Sequence, residues 1–190
     1  IAVEMRRTGS VSGLTGEVMK IVVLSSDRPN EMLVQYQVIG FPKNVPLHFG
    51  VELNFAAMPG NAGDRYFYDA AGQRLGTLDV ELDQTDSDRI SLVDEWLGLD
   101  VSLELSRPGG IWTMPIETIS QSEGGFEAVH QSVCIVPHWE FVMPDDGAWV
   151  VDLRLVFDSS VAAARKLAQA SPRSVPSPVA VGSALTGESL

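Results

Sequence analysis

The chain has 190 residues, 45% of them hydrophobic and 20% charged, with 25 acidic against 13 basic side chains and a net charge of −12. That length suits one substantial domain, which buries roughly 70% of its unfolded surface, and no apolar run approaches the ~20 residues that a membrane helix needs. The acidic balance repels a phosphate backbone, so nucleic acid is excluded as a partner, and the sequence reads as neither membrane-spanning nor led by a secretory signal.

The chain opens on Ile1 and alternates at once through Val3 and Met5, as expected of a fragment or of a trimmed chain. A period of two dominates from there, the signature of a half-buried strand, because successive side chains face opposite sides of a sheet. Strands are expected over 17–25 and 31–39. Over 47–55, Leu47, Phe49, Val51, Leu53 and Phe55 face a core while His48, Glu52 and Asn54 face away. Further strands are expected over 65–69, 76–82, 89–95, 99–105, 111–119, 128–136 and 149–157. Turn formers separate them at Pro59-Gly60-Asn61, Ala71-Gly72, Pro108-Gly109-Gly110, Gly124-Gly125 and Asp145-Asp146-Gly147. About ten closely spaced strands with no alternating helices predict an all-β fold, a large antiparallel β-sandwich, although a closed barrel shares the same periodicity. Helix propensity is concentrated in 160–170, and from Ser171 onward Ser, Pro, Gly and Ala predict a flexible tail. The expected division is a sandwich domain over 1–158, then a short helix and tail over 159–190.

Signatures of the common nucleophile, phosphate-loop and zinc sites are missing, so no catalytic residue and no cofactor are assigned. Cys134, alone and inside an apolar run, reads as a reduced, buried thiol, which fits a cytoplasmic protein. Asp83, Asp86 and Asp88 lack the glycine and distal glutamate of a calcium loop, so they read as a solvated turn, and no metal is expected. His130 and His138, with Glu117, form a candidate acid–base group, against the plainer reading of structural histidines at sheet edges.

Of the four tryptophans, Trp149 belongs in the core. Trp96, Trp112 and Trp139 either pack inside, meet another domain, or stack on the C–H face of a sugar. Pro115 to Val129 is the densest polar segment and reads as a loop presenting Glu117, Gln121, Ser122, Glu123 and Glu127. Two carboxylates about 5 Å apart can cleave a glycosidic bond by the retaining route, but a hydrogen-bonding loop at an interface is the preferred reading.

The succession Asp94-Glu95-Trp96-Leu97-Gly98-Leu99-Asp100, then Ile111 to Glu127, then Val136-Pro137-His138-Trp139, resembles the C-terminal β-sandwich domain of glycoside hydrolase family 57 α-amylases and 4-α-glucanotransferases. His48 to Phe55 resembles an earlier strand of the same domain, and the likeness covers about residues 15–157. It implies a galactose-mutarotase-like supersandwich that carries no catalytic pair of its own. It further implies an N-terminal catalytic barrel of the same enzyme as partner, with Trp96, Trp112, Glu117, Gln121, Glu123, His130 and His138 as candidates for contact with that barrel or with α-glucan. Two other functions remain open at this point: a sugar epimerase working through a histidine and a glutamate, and a pure protein-interaction module.

Overall fold

The computed structural model describes residues 1–56, 58–122 and 125–170. Eleven strands are present among them. They are β1 (Ala2–Val11), β2 (Leu14–Ser25), β3 (Arg28–Ile39), β4 (Pro46–Gly50), β5 (Leu53–Ala56) and β6 (Arg65–Asp69). After these come β7 (Arg74–Thr77), β8 (Leu82–Asp94), β9 (Leu99–Ser122), β10 (Gly125–Val142) and β11 (Ala148–Asp158). One helix, α1 (Ser160–Ala170), closes the described chain.

All pairings are antiparallel, in the order β1-β2-β3-β11-β9-β8-β6-β7, while β10 pairs with β9, β4 and β5. Two packed layers result because β8 and β9 each serve both. The start of β9, Leu99 to Leu105, lies between β8 and β11, whereas its later residues pair with β10. Aromatic rings mark the contact between layers. Trp149 of β11 stacks on Phe141 of β10 at 4.2 Å and meets Phe49 of β4 at 5.8 Å and Trp139 of β10 at 5.6 Å. None of those partners is hydrogen-bonded to β11, so these contacts cross from one sheet face to the other. Period-two positions fill the core: Val34, Tyr36 and Val38 on β3, Val151, Leu153 and Leu155 on β11, and Val101, Leu103 and Leu105 on β9.

The sequence expectation differs from the structure in several places, each for a local reason. The run 47–55 is two strands, since the Val51 amide turns to the Pro137 carbonyl. The run 76–82 spans the end of β7, a turn over 78–79 and the start of β8. Pro108-Gly109-Gly110 is no reversal: β9 runs through it, bending where β8 slips register between Gln84 and Arg89. Asp83, Asp86 and Asp88 accordingly sit inside β8, with Asp86 at φ 53° in the irregularity, and not in a turn between strands. The segment read as a loop over 115–129 is mostly strand. Glu123, Gly124 and the tail from Ser171 lie outside the described residues.

Candidate functional site

The sequence-predicted residues fall in three separate places. The first is the β8–β9 turn, where Trp96 stands 71% exposed. Asp94, fully buried, accepts from the Leu97 amide within that turn and from Arg65 Nε of β6, both at 2.8 Å, and so ties the turn to β6. The Arg65 guanidinium lies 5.9 Å from the indole centroid, and Arg165 of α1 donates to the Glu95 and Trp96 carbonyls. From Leu99 to Trp112 is roughly 40 Å of strand, so Trp96 does not share a site with the others.

The second place is the outer face of the β10 layer. His138 pairs with Gly50 on one side and Gly110 on the other. Its imidazole lies over Gly110, where any Cβ would overlap the ring. Thus settled, the ring stacks on Trp112 at 3.8 Å and an interplanar angle of 29°, while its Nδ1 is 3.0 Å from His48 Nε2. Trp112 Nε1 donates to Asp83 Oδ1 at 3.0 Å. Glu140, the register partner of His48, separates two shallow grooves. One, about 290 Å³, runs past Asp86, Pro108 and Gly110 to His138; the other, about 510 Å³, lies against Pro46, His48 and Val142. An indole beside carboxylates and imidazoles is the kind of surface on which a sugar ring stacks and its hydroxyls find acceptors.

The hydrogen bond between the two histidines needs one donor and one acceptor, so at least one ring is neutral. His138 is pushed below the ordinary histidine value of 6.5, chiefly by burial and then by His48, with Asp83 and Glu140 opposing. A lowered folded value means that the unfolded chain takes up the proton first. The contribution is therefore complete above pH 6.5 and is lost as the pH falls through that value towards the folded one. We expect urea midpoints to drop between pH 7.5 and 5.5, with a smaller drop in His138→Gln; equal slopes in the two proteins would remove His138 as the cause.

The third place is the far end of β9 and β10, which carries Glu117, Gln121 and His130. Glu117 and His130 are register partners, yet both His130 ring nitrogens are enclosed and without a hydrogen-bond partner. The ring packs instead beside Gly60 and Asp79. His130 and His138 lie roughly 25 Å apart along β10, so the two histidines of the candidate acid–base group do not meet. Among the described residues no cluster of three or more His, Cys, Asp or Glu could hold a metal ion, and no helix is long and apolar enough to cross a membrane. Trp139 is core, 5% exposed, and Cys134 is buried, its thiol pushed up by desolvation and then by Glu52.

Sequence reading missed the parts played by His48 and Asp83. Alternation already put His48 on the outer face, but which strand lay beside it was not available from local pattern.

Residues 1–153 match the family model for the alpha-amylase/4-alpha-glucanotransferase C-terminal region. The chain belongs to this family of C-terminal domains. An alpha-amylase of Pyrococcus horikoshii is 27% identical over 155 residues, which is 82% of this chain and 20% of that protein. Alpha-amylase 1 of Dictyoglomus thermophilum is 26% identical over 141 residues, 73% of this chain and again 20% of the relative. The crystal structure of a 4-alpha-glucanotransferase from Thermococcus litoralis superposes with a TM-score of 0.53 at 21% identity, covering 82% of this chain and 21% of that one. The family domain thus spans about a fifth of the length of the relatives it matches.

Proposed function

We propose that this chain is a non-catalytic accessory domain of a larger α-glucan-processing enzyme of the α-amylase or 4-α-glucanotransferase kind. In this reading it packs on the catalytic barrel of the same polypeptide in the cytoplasm, and its Trp112 face contacts α-1,4-glucan. The observation that carries the reading is the family match over 1–153, in a chain whose matched part covers a fifth of its relatives' length. The spread of the candidate residues over three places agrees with it, because acid–base catalysis needs groups within hydrogen-bond reach of one substrate. An epimerase working through His130 or His138 with a glutamate is less well supported: His130 is the register partner of Glu117, but both of its ring nitrogens are enclosed and without a hydrogen-bond partner.

The test is a maltoheptaose titration of the chain, followed by tryptophan fluorescence, with hydrolysis, transfer and epimerisation assayed on the same sample. The expected result is saturation in the millimolar range, lost in Trp112→Ala, and no turnover of any kind. Turnover by the chain alone would sink the accessory reading, whereas an unresponsive Trp112 would remove only the glucan contact.

A further inference from the structure

The ends of β9 and β10 form an arm that, among the described residues, has no strand partner beyond its base. Pairing of β8 with β9 stops at Leu82 and Thr113, and pairing of β5 with β10 stops at Ala56 and Ser132. Beyond those points, among the described residues, the two strands continue without a further partner strand, from Glu117 opposite His130 out to Ser122 opposite Gly125. From Ile116 to Ser122 that is roughly 20 Å of two-stranded ribbon. A hairpin on its own is marginally stable in water and needs a packed face.

The ribbon has such a face, and among the described residues nothing covers its tip. Thr113, Val133 and Ile135 are buried in the core. By the period of two, Glu117, Ile119 and Gln121 continue that inward side along β9, and their register partners His130, Ala128 and Phe126 share it. His130 fills the base of this side against Gly60 and Asp79. Further out, Ile119 is 70% exposed and Phe126 77% exposed. Two large apolar side chains presented together on an overhanging strand pair mark an interaction surface more than a solvated loop.

Charge narrows the occupant. No lysine or arginine occurs between Arg107 and Arg154, whereas Glu117 and Glu127 lie on the arm. A second copy of a chain with net charge −12 is disfavoured by repulsion. A basic-rimmed apolar socket is matched, and the relatives, of which the matched region is a fifth, have room for a domain that bears one.

We propose that the β9–β10 arm is the docking element of this domain, with Ile119 and Phe126 seated in an apolar socket, edged by lysine or arginine, on the catalytic domain of the same polypeptide. This rests on the accessory-domain reading above and assigns its contact surface.

Hydrogen exchange of the 190-residue chain and of the full-length enzyme, compared segment by segment, tests it. Amides of the arm should exchange at least tenfold more slowly in the full-length enzyme. Ile119→Ser with Phe126→Ser should abolish that protection, and Phe126→Leu should keep most of it. The double substitution should shift the melting temperature of the chain alone by no more than about 2 °C, since both side chains are exposed in it. Protection confined to another surface, such as β1, overturns the arm but leaves the accessory reading standing. Protection nowhere overturns both. Protection of the arm only after maltoheptaose is added also overturns the proposal, because the occupant is then glucan.

Discussion

Gly109→Ala is expected to lower the stability of the domain by about 2–5 kcal/mol, read as a fall in the urea midpoint at constant slope. A Cβ built at Gly109 lies 2.6 Å from the His138 carbonyl oxygen and 2.5 Å from Trp139 Nε1. The first of these is backbone and cannot rotate away. The second belongs to a buried indole whose N–H donates to the Arg107 carbonyl at 3.0 Å. Overpacking of this kind costs roughly 1–3 kcal/mol, and stranding the indole N–H adds roughly 1–3. The entropy gained by removing a glycine from a strand, about 0.5–1 kcal/mol, is too small to offset them. Gly9→Ala supplies the control: Gly9 lies in β1 with nothing within 4 Å of its added Cβ, so that variant should be neutral or slightly more stable. Equal effects at the two positions would mean that β9 and β10 are not held as closely as these distances require.

The same glycine explains part of what the sequence leaves hidden. Pro108-Gly109-Gly110 carries every residue type that favours a reversal, yet the glycines serve close approach: Gly109 admits the Trp139 indole, and Gly110 admits the His138 ring. Local composition cannot separate a turn from a tight crossing. Alternation was a sound guide wherever one face is covered, as on β3, β11 and the start of β9. It gave too little where no face is: all ten residues of β1 are exposed, so Val3, Met5 and Val11 show a pattern without a core to confirm it. The meeting of His48 with His138 spans 90 residues of sequence and depends on strand order, which periodicity does not encode. The arm was visible as an acidic, polar stretch, but its apolar members, Ile119 and Phe126, gained meaning only from the register that puts them on one side.

Trp149→Ala is expected to cost about 3–5 kcal/mol, the usual range for emptying a large aromatic site in a core, while Trp96→Ala should cost under about 0.5. Both indoles precede or begin strongly patterned strands, and only their surroundings separate them. Trp149 is 4% exposed, and its ring touches Phe49, Phe141 and Trp139. Removing it takes the central member from the aromatic cluster that joins the two layers, and relaxation is limited because Phe49, Trp139 and Phe141 are anchored in strands β4 and β10. Trp149→Phe should recover more than half of the loss by restoring the stack on Phe141. Trp96 stands in a turn held by Asp94 and Arg165 through backbone atoms, so its side chain can be removed without loosening those bonds. The tryptophan bands of the near-ultraviolet circular dichroism should weaken strongly in Trp149→Ala, with Trp112 and Trp139 still contributing, and stay nearly unchanged in Trp96→Ala. A cost at Trp149 below about 1.5 kcal/mol, less than full burial of one large apolar side chain contributes, would mean that the layers are joined elsewhere. The Trp112 face would then be tied to the opposite layer by the backbone of β9, which runs from its pairing with β11 into its pairing with β10, and not by this cluster.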